Sequence, residues 1–153
     1  MRALIQLVAS ASVAVGDVVG QIQNGLVVFL GVGQNDGEED ARYVVDKVAN
    51  LRIFDDAEGR FNQSALDTEA QILIISQFTL YADVRRGRRP SFTGAAPPEE
   101  AEALFNKTVS LFRDTGLQVE TGRFQQRMVV DVQNDGPVTI MVDSADRHRP
   151  RRG

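Results

Sequence analysis

The 153-residue chain has no cysteine, no tryptophan and a single histidine. Without cysteine there is no disulfide scaffold, no thiol nucleophile and no cysteine-held zinc. His148 stands in the Arg-rich segment Arg147-His148-Arg149-Pro150-Arg151-Arg152 at the end of the sequence. Terminal segments are commonly poorly ordered, so a Ser-His-Asp triad here would rest on an unfixed base. No apolar run approaches the roughly 20 residues of a spanning helix. The opening stretch MRALIQLVASASVAV is interrupted by Gln6 and Ser10, which favours strands over a signal peptide. The expectation is a cytoplasmic protein with no membrane contact. The dinucleotide fingerprint also falls short: Gly31-Val32-Gly33 is followed by Asp36 where the third glycine belongs. Asp36, Glu38, Glu39 and Asp40 lack the twelve-residue spacing of a calcium loop and read as a solvated helix N-terminus. No metal and no cofactor are expected. Hydrolysis by such a chain falls to carboxylates, an unusually assisted hydroxyl, backbone dipoles, or a reactive group on the substrate.

The chain does hold enough apolar residues for a core: 42% are hydrophobic and 25% charged, as in ordinary globular domains. One domain spanning 1–153 is expected, with about 145–153 as a flexible basic tail. The net charge of −4 argues against a general nucleic-acid binder, but the cations are concentrated. Arg85, Arg86, Arg88 and Arg89 form one cluster and Arg147, Arg149, Arg151 and Arg152 another, together eight of 17 basic residues. Such polarity suits a protein that grips a polyanion at one place and repels it elsewhere. A solvated loop and a solvating tail are the other reading.

Periodicity gives the element order. Residues 3–9 and 18–22 are short apolar stretches flanking a turn at 13–17, and the β-branched run 25–32 suits a strand buried on both faces. A helix is expected over 38–51 with Ala41, Val44, Val45, Val48 and Leu51 on one face. A second buried strand covers 71–78, and a second helix opens at Pro97-Pro98 and runs to about Asp114 with Ala101, Leu104, Phe105, Thr108, Leu111 and Phe112 inward. Strand-like segments follow at 117–121, 128–132 and 138–142. This is α/β with a mixed sheet: two strands, two strand–helix units, three strands, in three layers or a barrel-like form. Ser76, Gln77 and Thr79 fall at the C-terminal end of a buried strand, where α/β sheets place ligands. A plain strand end with turn-forming hydroxyls fits equally well. Asp135-Gly136 between two strands is a strong hairpin signal, and turn chemistry alone accounts for it.

Four segments together resemble the D-aminoacyl-tRNA deacylase family: residues 50–54 (NLRIF), 76–82 (SQFTLYA), 87–92 (GRRPSF) and 134–139 (NDGPVT). They occur in the family's order across essentially the whole chain. The resemblance implies a homodimer with active sites at the subunit interface, acting on the 3′ end of D-aminoacyl-tRNA. It implies a cis Gly136-Pro137 bond inserted into the partner's site, where backbone carbonyls exclude L-residues but admit D-residues and glycine. Ser76, Gln77, Phe78 and Thr79 would form the catalytic wall. Phe124 and Met128, with Gly136 and Pro137, would contact the substrate. Backbone N–H groups near Phe78 would polarise the ester, and the 2′-hydroxyl of the terminal adenosine would assist the attack. Arg85, Arg86, Arg88 and Arg89 would meet acceptor-stem phosphates. The chain departs from the family at Leu7, where arginine is usual, and at Gln125-Gln126, where Gly-Ala is usual. Those departures keep a second reading open, a tRNA-binding module with weakened or lost turnover.

Overall fold

In the computed structural model, which describes residues 1–152, the opening alternation forms one long strand, β1 (Arg2–Val15). Its Ala3, Ile5, Val8, Ala11 and Val13 side chains are buried. The chain turns at Gly16, with φ +72°, into β2 (Asp17–Ile22), and then enters β3 (Gly25–Gly31). Next come α1 (Glu38–Asn50), a small ribbon of β4 (Phe54–Asp55) and β5 (Phe61–Gln63), and α2 (Ala65–Thr68). β6 (Gln71–Ser76), α3 (Pro98–Asp114), β7 (Val119–Thr121) and β8 (Val129–Asp143) complete the named elements. Two turns of 3-10 helix lie at Phe78–Tyr81 and Ser144–His148.

β1 is paired along both edges. β3 runs antiparallel to its first half and β2 to its second, while β8 pairs with it from Arg2 to Ala14 on the other side. β6 is parallel to β3, and β7 is parallel to β6. Both β3 and β6 are buried on both faces, which explains their continuous apolar runs. The mixed sheet curls until β2 meets β7. At that contact a Cβ on Gly20 would lie 2.8 Å from the Thr121 carbonyl oxygen, so glycine permits the approach. Val8, Ala11, Val13, Ile22, Val27, Leu73 and Ile75 fill the barrel-like interior. The outer face packs on α1 and α3 through Leu26, Val28, Ile72, Val44, Val48, Phe105 and Phe112.

Three expectations are corrected. Among the described residues there are three α-helices, not two. The extra one, α2, has only four residues and so carries no periodic signal. Its start is fixed by a reciprocal cap, Asp67 N–H donating to Ser64 Oγ at 3.0 Å and Ser64 N–H to Asp67 Oδ2 at 2.9 Å. The segment 128–142 is one strand, not two joined by a hairpin. Asn134 pairs with Val8 and Thr139 with Gln6 on the same strand, so the chain keeps its direction and residues 135–138 bulge outward.

The acidic run is not wholly solvated either. Asp36 and Asp40 side chains are 12% and 13% exposed. Asp36 accepts the Gly33 N–H at 2.6 Å and pairs with the Met1 ammonium at 2.7 Å. Asp40 accepts from Gly37 N–H at 2.8 Å, Ser144 Oγ at 2.7 Å and Arg147 Nη1 at 2.6 Å. Arg147 is thereby anchored to α1.

Burial opposes ionisation of Asp40. The Gly37 N–H, the Ser144 hydroxyl and Arg147 outweigh it and hold the carboxyl below its ordinary 3.8. A depressed folded value means this stabilisation is complete above the ordinary value and is lost as pH falls through the folded one. Asp40→Asn should therefore lower stability at pH 7 by about 1–3 kcal/mol in urea denaturation. The loss should shrink toward pH 3; a pH-independent difference would show that the charge is not involved.

Candidate active site

The parallel pair β3 and β6 ends at Gly31 and Ser76, and beyond those ends opens a cavity of about 810 Å³. Such crevices form because the loops after parallel strands diverge. Ser76, Gln77, Phe78, Phe124 and Met128 all line it. Five of the residues singled out in the sequence thus meet on one cavity. Thr79 does not line it. Its hydroxyl accepts a short hydrogen bond from the Gln77 side-chain amide, and among the described residues no carboxylate or imidazole hydrogen-bonds to it.

The β3–β6 pairing ends with the Gln77 N–H donating to Leu30 O at 2.8 Å, after which the chain winds into the 3-10 turn Phe78–Tyr81. The strand expected to reach Phe78 is two residues shorter. Among the described residues, neither the Phe78 nor the Thr79 N–H has an acceptor, as the first amides of a helical turn characteristically lack one. Phe78 is 58% exposed and meets Phe92 edge-on at 5.0 Å. The turn is fastened from behind by Arg2, which donates from Nη1 to Leu80 O at 2.9 Å and from Nε to Asp143 Oδ2 at 3.2 Å. The same guanidinium sits 4.5 Å over the Tyr81 ring. Burial first, then the nearby Asp36 and Asp143 carboxylates, push the Tyr81 hydroxyl far up, so it stays neutral.

Several lining residues were not singled out from the sequence, among them Gln34, Thr93, Ala95, Ala96 and Arg127. A bridge between Gly33 and Ala95 carries residues 93–96 to the cavity, with Gln34 N–H donating to Gly94 O at 3.0 Å and Ala96 N–H to Val32 O at 3.0 Å. Segments some 60 residues apart make that contact through backbone bonds, and no side-chain pattern announces it. Among the described residues no group of three or more His, Asp and Glu side chains converges to hold a metal.

Gly136 and Pro137 lie away from this cavity, exposed on the β8 bulge, and the bond between them is cis. The base of the bulge is clamped by the Asn134 amide, which donates to Leu7 O at 2.9 Å and Val138 O at 3.0 Å. Gln6 Nε2 adds a bond to Thr139 Oγ1 at 3.2 Å. Arg85, Arg86, Arg88 and Arg89 occupy an exposed loop that does not line the cavity. Arg85 pairs with Asp83 at 2.7 Å, and its hydrogen bonds pull the Asp83 carboxyl down to about 2. Arg86, Arg88 and Arg89 have no carboxylate partner among the described residues.

Comparison with known proteins gives a consistent result. The family model described as D-Tyr-tRNA(Tyr) deacylase matches residues 4–143. The D-aminoacyl-tRNA deacylase of Halothermothrix orenii is 56% identical over 145 residues, covering 94% of this chain and 97% of that protein. The Roseiflexus sp. protein of the same name is 56% identical over 152 residues, covering 99% and 98%. Among solved structures, a "c-Myc DNA Unwinding Element Binding Protein" superposes with a TM-score of 0.88 at 38% identity, covering 94% of this chain and 98% of that one. A structure titled as a probable eukaryotic D-amino acid tRNA deacylase gives 0.79 at 21% identity over 93% and 98%, which speaks to the fold alone.

Removing the Arg2 guanidinium should loosen the Phe78–Tyr81 turn specifically. In Arg2→Ala, amide hydrogen exchange at residues 80–82 should accelerate about 5–10-fold, the equivalent of one lost hydrogen bond. Exchange in α1 should barely change. Equal acceleration throughout would mean that Arg2 stabilises the whole fold and has no local hold on the turn.

Proposed function

The chain belongs to the D-aminoacyl-tRNA deacylase family, and on that premise we propose that it hydrolyses the ester of D-aminoacyl-tRNA, releasing free D-amino acid and tRNA. The observation that carries the mechanism is the pair of unused N–H groups at Phe78, which lines the cavity, and at the adjoining Thr79, where the cavity lining offers no imidazole or thiol. Water adds to the ester carbonyl and charge develops on its oxygen. The two N–H groups meet that charge where it forms, and the 3′-oxygen of the tRNA leaves with a proton. Fixed dipoles of this kind act without reorganising during the reaction. The neighbouring 2′-hydroxyl of the terminal ribose assists the water, so the substrate supplies the proton relay that the chain lacks.

Thr79 is a supporting residue in this scheme, since its hydroxyl is engaged by Gln77 and has no base to activate it. Gly136 and Pro137 act in a second copy of the chain. Their exposure on a clamped bulge, outside their own cavity, supports an arrangement in which each subunit closes its partner's site. Backbone carbonyls there face the substrate's α-carbon, turning away L side chains and admitting D-residues and glycine. Phe124 and Met128 complete the wall. Arg86, Arg88 and Arg89, with Arg85 less available, take acceptor-stem phosphates. The whole chain, 1–153, acts as one such domain in the cytoplasm.

The presence of Gln125 and Gln126 on the cavity wall favours one alternative, a module that binds tRNA but turns it over weakly. The two readings separate when the protein is given D-Tyr-tRNA and L-Tyr-tRNA side by side. Selective release of D-tyrosine is expected; no hydrolysis of either, or equal hydrolysis of both, sinks the deacylase reading. Thr79→Val should keep kcat within about threefold, the scale of a surface substitution. A loss of about a thousandfold or more would assign the threonine the role of nucleophile.

A further inference from the structure

The turn at residues 124–128 forms one wall of the cavity and is pinned at both ends. Phe124 packs on Phe105 of α3 with ring centroids 6.1 Å apart, and Met128 packs against the barrel-interior cluster. Between them Gln125 adopts a left-handed φ of +59°, and Gln126 N–H reaches back to Arg123 O at 3.4 Å. Arg127 is thus held on a fixed element. Among the described residues it is the one charged residue lining the cavity, it is exposed, and it has no carboxylate partner. A cation left unneutralised beside a largely apolar cavity is poised for an anion.

We propose that the Arg127 guanidinium binds the phosphate on the 5′ side of the substrate's terminal nucleotide, as a positioning residue separate from the 84–90 loop. The inference rests on the deacylase reading for the identity of the ligand. With the aminoacyl ester beyond the ends of β3 and β6 and the polynucleotide leaving through the mouth, that phosphate is the first anion to pass the rim. Guanidinium matches phosphate by paired, charge-assisted hydrogen bonds. Every aminoacyl-tRNA carries this phosphate, whereas an acidic amino-acid side chain would be present in few substrates. The contact would hold the terminal nucleotide at the cavity mouth alike in the ground and transition states, so it would act on binding and not on the chemical step.

Wild type, Arg127→Ala and Arg127→Lys are compared on D-Tyr-tRNA across a series of salt concentrations. Arg127→Ala should raise KM about tenfold with kcat nearly unchanged, and the slope of log KM against log salt should fall by about 0.7, one single-strand phosphate contact. Arg127→Lys should recover the slope and only part of the affinity. An unchanged KM and slope, or a fall in kcat alone, overturns the proposal. So does a penalty on D-Asp-tRNA larger than that on D-Tyr-tRNA, which would assign the cation to the amino-acid side chain. A second readout needs no turnover. Wild type should bind adenosine 5′-monophosphate about tenfold tighter than adenosine, and Arg127→Ala should bind the two alike. If that preference holds while wild type fails to hydrolyse D-Tyr-tRNA, the phosphate subsite stands and the deacylase reading falls; equal binding by wild type overturns the subsite.

Discussion

Strand β1 is hydrogen-bonded along both edges over almost its whole length, and the placement of everything functional depends on that constraint. Its alternation of buried and half-buried residues fixes register, since a slip of one residue would turn Ala3, Ile5, Val8 and Val13 out of the core. On one edge it sets the depth of β3, and β3 sets that of β6, so the cavity forms where both parallel strands stop. On the other edge it carries β8. There the register leaves residues 135–138 with no partner other than the stretch around Leu7, and the surplus chain must project. The Asn134 amide then substitutes for the missing ladder, occupying carbonyls of both strands. Each such bond is worth about 1 kcal/mol net. Together they hold the projection in one place.

Under the proposed function, the cavity and the bulge divide the site's chemistry. The cavity has dipoles and apolar walls. Arg2 ties the Phe78–Tyr81 turn to β8 through Asp143 and Leu80, so both halves are referred to the same strand. Charge is distributed with comparable economy of contact. Arg85 and Arg147 are neutralised within the fold by Asp83 and by Asp40. Arg86, Arg88, Arg89 and Arg127 are not. Under the proposed function, and in a chain of net charge −4, these cations are among those free to meet a polyanionic substrate.

The sequence made the elements legible because their patterns are local. Helix α1 follows the spacing of Ala41, Val44, Val45 and Val48, and β6 follows an unbroken run of Ile and Leu. The convergence of Ser76, Gln77, Phe78, Phe124 and Met128 was legible only by resemblance, because they come from segments far apart. What stayed hidden has a common cause. The hairpin expected at Asp135-Gly136 and the bulge that occurs share the same turn-forming residues, and only the common partner β1 separates them. Likewise Asp36 and Asp40 look like ordinary first-turn acids until the chain's two ends fold onto them. The Gly33–Ala95 bridge and the free Arg127 depend on what is nearby in space, which no local pattern encodes.

Position 136 shows how backbone alone can serve as a selective surface. Gly136 sits at φ +112°, and a Cβ there would lie 2.8 Å from a Val138 side-chain methyl. Any other residue is opposed twice, by backbone conformation and by its own neighbour. Position 136 is consequently bare of side chain and, between Asp135 and the Pro137 ring, leaves an edge of peptide groups exposed. Such an edge can reject a substituent on one side of an α-carbon without recognising the substituent on the other. A side-chain pocket would make affinity depend on the amino acid; a peptide edge makes it depend on handedness. Under the proposed function, the breadth of substrates and the strictness about chirality therefore come from the same few atoms.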